Sequence, residues 1–149
     1  MLVVDTKYCT TAQGYGKTVD ILANDLDQPR LLEYIRRFLY DQLQPDSEVC
    51  SMDVPLNTCP KVHGSLCVKV FHSAVSTYYA PSDLSGIGGM HCERICATPS
   101  WKCGPGRYDC VFIDKDPDLD GFCGLHVAHV HLFLSFRFQS ITYSCALVQ

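Results

Sequence analysis

The chain has no large excess of charge of either sign. Twelve basic residues stand against sixteen acidic ones, a net charge of −4. That balance leaves no electrostatic footprint for nucleic acid or for an anionic membrane surface. A long apolar run is also missing. The best stretch, residues 125–138, is interrupted by His129, His131 and Arg137 and falls short of the roughly 20 apolar residues of a membrane span. The opening Leu2-Val3-Val4 is cut off by Asp5, too short for the apolar region of a secretory leader. The expectation is therefore an intracellular chain that is not secreted and has no membrane partner. Its ten cysteines are then expected to be reduced thiols rather than a disulfide framework. No internal repeat or low-complexity tract occurs. Nothing in the sequence marks a small-molecule substrate.

What is present suffices for a core. A compact chain of 149 residues buries about 68–70% of its unfolded surface. The strongest pattern lies near the carboxyl end. Ala128, Val130, Leu132, Leu134, Phe136 and Phe138 alternate with His129, His131, Phe133, Ser135 and Arg137, the period of a strand with one buried face. After Gln139-Ser140 the alternation resumes at Ile141, Tyr143, Cys145 and Leu147. A turn at those two residues sets Phe138 opposite Ile141, Phe136 opposite Tyr143, Leu134 opposite Cys145 and Leu132 opposite Leu147. All four pairs share one face, so pattern and turn predict the same register. Gln-Ser lacks the Gly or Asn that readily supplies positive φ. The pairing is therefore better specified than the turn type. The second strand runs into Gln149 with no closing turn, which leads to the expectation of a chain truncated at its carboxyl end with an unpaired, association-prone edge.

Residues 1–28 read as an irregular extension. The Gly-Lys-Thr at Gly16–Thr18 resembles the end of a phosphate loop, but position 11 is Thr where that pattern needs Gly, so a plain loop is expected. One helix is predicted over residues 29–43. Pro29 suits its first turn and Asp25 or Asp27 can cap it. Leu31, Leu32, Ile35, Phe38, Leu39 and Leu43 share one face, opposite Arg30, Glu33, Arg36 and Arg37. Those arginines read as a solvated face, with contact to a phosphate backbone as the alternative. Residues 44–65 form a Pro-punctuated connector. Leu66, Val68 and Val70 begin a strand whose parity changes near residues 72–74, which predicts a bulge or a bend between two strands. Residues 81–89 and 99–106 are loops, 90–97 a short helix or strand, 108–113 a strand, and 114–121 an acidic turn.

Three clusters bear on metal chemistry. Asp116, Asp118, Asp120 and Gly121 match the first half of a calcium loop, but position twelve is Val127 instead of Glu, so a solvated turn is expected. His91, Cys92, Cys96 and Cys103 have the right chemistry for zinc at a spacing that fits no standard knuckle. His129 and His131 stand on one strand face with His126 close by, and two such imidazoles hold a catalytic zinc when a third ligand joins them. No third ligand is marked. The expectation is no cofactor, no metal and no catalytic residue.

From Leu31 onward longer strings stand out. They are residues 31–43 (LLEYIRRFLYDQL), 71–74 (FHSA), 79–90 (YAPSDLSGIGGM), 97–101 (ATPSW), 107–112 (RYDCVF) and 145–148 (CALV). Together they resemble the C-terminal region of Plavaka-type transposases, encoded by transposons abundant in mushroom-forming fungi, over most of residues 18–149. The resemblance implies that the nuclease domain and its acidic metal-binding triad lie upstream, with no triad residue on this chain. It also implies arginine where this chain has Cys92, Cys96, Cys123 and His129. Arginine codons become Cys or His codons by single transitions, as cytosine deamination in silenced repeats produces. Restoring those four positive charges would bring the net charge from −4 to zero, better suited to phosphate contact.

These considerations predict an α+β fold. One N-terminal amphipathic helix packs on an antiparallel, open or barrel-like sheet ending in a hairpin, within a single domain over residues 29–149. The expected function is a non-catalytic remnant of a transposase C-terminal region, whose ancestral partners were DNA or other transposase segments and whose setting was nuclear. A stand-alone zinc- or partner-binding module, and a small metal-dependent hydrolase, are the alternatives.

Overall fold

The computed structural model describes residues 2–3, 15–45, 47, 49–79, 88–114, 119 and 121–149. Its elements follow in chain order. They are β1 (Leu2–Val3), β2 (Tyr15–Thr18), α1 (Val19–Asp25), α2 (Leu31–Leu43), β3 (Cys67–Phe71), β4 (Ser73–Tyr79), β5 (Met90–Thr98), β6 (Arg107–Tyr108), β7 (Cys110–Asp114), β8 (Leu125–Phe138) and β9 (Ile141–Val148). A 3-10 turn over Gly121–Gly124 leads into β8. The class is α+β, with antiparallel pairing throughout the described sheets.

The strands divide into two open sheets, and no closed barrel forms among the described residues. One sheet has the order β1-β9-β8-β3-β2 with β7 also on β8, and the other the order β4-β5-β6. The parity change after Val70 is the point where the chain leaves one sheet for the other. β3 ends at Phe71 and β4 begins at Ser73. The two sheets meet at Asp109, which separates β6 from β7. Its N–H donates to the Cys96 carbonyl at 2.9 Å, and its own carbonyl accepts from the Val130 N–H at 2.9 Å.

Three layers result. The helices cover one face of the large sheet, where Leu22, Leu31, Ile35 and Leu39 pack with Val68, Val70, Leu132, Leu134, Phe136, Cys145 and Leu147. The smaller sheet adjoins the other face, where Ala74, Ala97, Val130, Phe133 and Ala146 form a second core. Phe38 of α2 meets Phe136 and Tyr143 of the hairpin edge-on, with ring centres 6.2 Å apart in each case. Such contacts add to the area already buried.

The hairpin has the register its alternation predicts. Phe138 opposes Ile141, Phe136 opposes Tyr143, Leu134 opposes Cys145 and Leu132 opposes Leu147. Gln139 and Ser140 both adopt positive φ, 47° and 68°, the signs of a type I′ turn, despite having side chains that resist it. The single-face prediction fails one pair further on. Val130 opposes Val148 while Leu132 opposes Leu147, so His131 is an extra residue in β8. That bulge reverses the parity and turns Val130 to the second core. The other face is mixed. Phe133 packs into the second core and Ser135 is buried, while Arg137 is exposed. The outer edge of β9 is in part covered, since Leu2 and Val3 of β1 pair with Ala146 and Cys145.

Residues 15–25, expected as irregular, are a strand and a helix. Gly16, Lys17 and Thr18 pair with Lys69, Val68 and Cys67, so the phosphate-loop motif is an edge strand. Thr18 caps α1 by accepting from the Ile21 N–H, and Lys17 pairs with Asp25. Gln13 and Gly14 lie outside the described residues. The connector crosses close over α1 at Gly64, where a Cβ would collide with the Asp20 carboxylate.

The helix over residues 31–43 buries Leu31, Ile35, Phe38, Leu39 and Tyr40. Neither Asp25 nor Asp27 caps it. Arg30 occupies the N-cap without a side-chain bond, and Asp27 sits in the preceding turn at φ 51°. Arg36 and Arg37 of its polar face are not solvated as expected but clamp the connector. Arg36 donates to the carbonyls of Leu56 at 2.6 Å, Pro60 at 2.9 Å and Cys59 at 3.2 Å. Arg37 donates to Val54 O at 3.1 Å, to Ser51 O and to Glu33. Asp41 accepts from the Ser51 hydroxyl at 2.7 Å. Under this clamp Tyr40, Val54 and Cys59 make a third small core. No helix among the described residues is long and apolar enough to cross a membrane.

Candidate functional site

Polar chemistry converges where β6, β8 and the end of β9 meet. His129 and His131 of β8 stand with ring centres 5.0 Å apart, and the Tyr108 ring lies 5.9 Å from the first and 6.4 Å from the second. His129 Nε2 is 3.0 Å from the Tyr108 carbonyl oxygen. A carbonyl only accepts, so this nitrogen carries a proton, and in the neutral ring the lone pair then lies on Nδ1. Nε2 of His131 is buried and finds no hydrogen-bond partner among the described residues. His131 also lines a cleft of about 430 Å³ with Gln28, Tyr34, Met52, Leu147, Val148 and Gln149. The backbone of Gln149 closes the strand pair here, exchanging two bonds with His129 at 2.8 and 3.0 Å.

Next to the histidines, Asp109 organises the sheet junction. Its carboxylate accepts from the Cys96 N–H at 2.8 Å and from Arg107 at 2.8 and 3.0 Å. The Arg107 guanidinium holds the Asp109 carboxyl below its ordinary pKa; burial opposes this and the Cys96 N–H adds to it. The same guanidinium stands 4.9 Å from the centre of the Trp101 ring, and Lys102 approaches that ring at 5.7 Å. On α2, hydrogen bonds from Arg30 and Arg37 hold Glu33 at a pKa of about 2.

The zinc candidates on β5 do not come together. Cys92 opposes Thr77 and Cys96 opposes Ser73, four residues or roughly 13 Å apart along the strand, too far to share an ion. Cys96 is buried, whereas Cys92 and Cys103 are exposed, and His91 stacks on Tyr78 at 6.0 Å. Among the described residues no group of three or more His, Cys, Asp or Glu is placed to hold a metal. His126 is exposed and opposes Ile113. Of the calcium-loop candidates, Asp116, Asp118 and Asp120 lie outside the described residues, and Val127 is a strand residue 65% exposed. Of the positions where the resemblance implies arginine, Cys92 and Cys123 are exposed, whereas Cys96 is 1% exposed and leaves no room for a longer cationic side chain. Sequence reasoning missed Tyr108 and Asp109, because a single polar residue inside an apolar strand carries no signal of a sheet junction. Compared with protein-family models, with curated proteins and with solved structures, the chain matches none.

Proposed function

We propose that the chain is a non-catalytic segment from the C-terminal region of a Plavaka-type transposase, serving assembly of the transposase rather than DNA contact. It acts in the nucleus as part of that larger protein. The strings over residues 31–43, 79–90 and 107–112 support the kinship. Of the helix arginines favoured by the alternative of phosphate contact, Arg36 and Arg37 are engaged with connector carbonyls, and Arg30, the exposed one, pairs with Glu33. The amphipathic helix thus backs the sheet and anchors the connector.

One observation carries the choice of assembly. Phe112 and Val127 are cross-strand partners, and each is 65% exposed. We read this exposed apolar pair at the β7–β8 end of a sheet as the contact surface. The test is co-purification of the chain with the upstream nuclease region from the same locus, alongside DNA titration at several salt concentrations. Association that Phe112→Ser with Val127→Thr abolishes, with no salt-dependent DNA affinity, is the expected result. DNA affinity that falls steeply with salt and ignores both substitutions overturns it.

A further inference from the structure

We infer that His129 and His131 form a two-imidazole site for a borderline divalent transition-metal ion, with Zn²⁺ and Ni²⁺ as its chemical class. This does not rest on the transposase kinship. A flat strand sets residues i and i+2 about 6.6–6.8 Å apart along its axis with side chains side by side. Here, at the bulge, the two rings stand 5.0 Å apart between centres. Two imidazoles on one tetrahedral ion, each nitrogen about 2.0–2.1 Å from it, have ring centres roughly 5 Å apart.

The ring nitrogens are prepared in the matching way. Ligating histidines typically donate the second ring N–H to a carbonyl or carboxylate, which fixes tautomer and orientation. His129 does this with Tyr108 O at 3.0 Å, leaving Nδ1 as the donor to an ion. His131 Nε2 is buried without a partner among the described residues, a costly condition that an ion would relieve. Nitrogen donors select borderline transition metals over Mg²⁺ or Ca²⁺. No third Cys, His, Asp or Glu stands in reach among the described residues, so the chain supplies two ligands to the ion.

Because thiols also bind these ions, the test must read the imidazoles themselves. Zn²⁺ is titrated into the metal-free full chain while long-range ¹H–¹⁵N spectra report each histidine nitrogen, and Ni²⁺ affinity is measured in parallel. The expected result is one ion per chain, with selective shifts at His129 Nδ1 and His131 Nε2. His129→Arg and His131→Gln should each weaken Ni²⁺ binding more than about tenfold, while Cys92→Ser with Cys103→Ser leaves it unchanged. His129 is partly exposed, so its substitution tests the site even if His131→Gln unfolds the chain. Unshifted imidazoles, or binding lost only with the cysteines, overturns the assignment.

Discussion

Replacing Arg36 by alanine should cost far more than a surface helix residue does. Its guanidinium donates to three carbonyls, of Leu56, Cys59 and Pro60, at 2.6–3.2 Å. A hydrogen bond to a charged group is worth about 1.5–3 kcal/mol net, but these sites are only partly buried and water recovers some of the loss, so Arg36→Ala is expected to cost about 2–4 kcal/mol in all. For a domain of this size that is a fall in Tm of roughly 6–15 °C. Arg36→Lys should recover less than half, because an ammonium cannot fork across three acceptors. Urea unfolding followed by circular dichroism measures the loss, and amide exchange locates it. Protection should vanish first in residues 51–60, where Val54 and Cys59 lose their cover over Tyr40. A solvated arginine would change stability by less than about 0.5 kcal/mol. A value that small for Arg36→Ala refutes the clamp.

Other substitutions test other parts. Gln139→Asn with Ser140→Gly should raise stability by about 0.5–1 kcal/mol, since both positions already hold positive φ and Asn-Gly meets it with less strain; an unchanged or lower Tm would contradict the turn geometry. The Asp109 pKa is lowered in the folded chain. The stability it contributes is therefore complete above the unfolded carboxylate value and drains away as pH falls through the folded one. Asp109→Asn should flatten that acid limb of a stability–pH curve, and a limb left intact places its origin elsewhere. Leu134→Ala, at a fully buried site, should cost about 2–5 kcal/mol, whereas Val127→Thr, at a site 65% exposed, should change stability by less than about 0.5 kcal/mol. Equal costs in thermal melts would sink the assigned burial.

Local pattern alone determined a good deal of this protein. The α+β class, a helix ending at Leu43, expected from residue 29 and observed from Leu31, and four cross-strand pairs of the hairpin were legible, because helical spacing and strand alternation are properties of neighbouring residues. The near-coincidence of His129 and His131 was legible for the same reason. Only the tertiary structure decided the rest. From Val130 to Phe136 β8 lies between two cores, one under the helices and one toward the smaller sheet, so Val130 suits either core and hydrophobicity could not reveal the bulge that turns it over. Arg36 finds its acceptors at least twenty residues away, on a connector whose path no local pattern encodes; the same side chain reads as surface until that path is known. Cys92 and Cys96 looked adjacent as a string and are held apart by the extended rise of a strand. Chemistry assembled from within one element could be anticipated, and chemistry assembled between elements, the Asp109 junction and the tautomer set by Tyr108, could not.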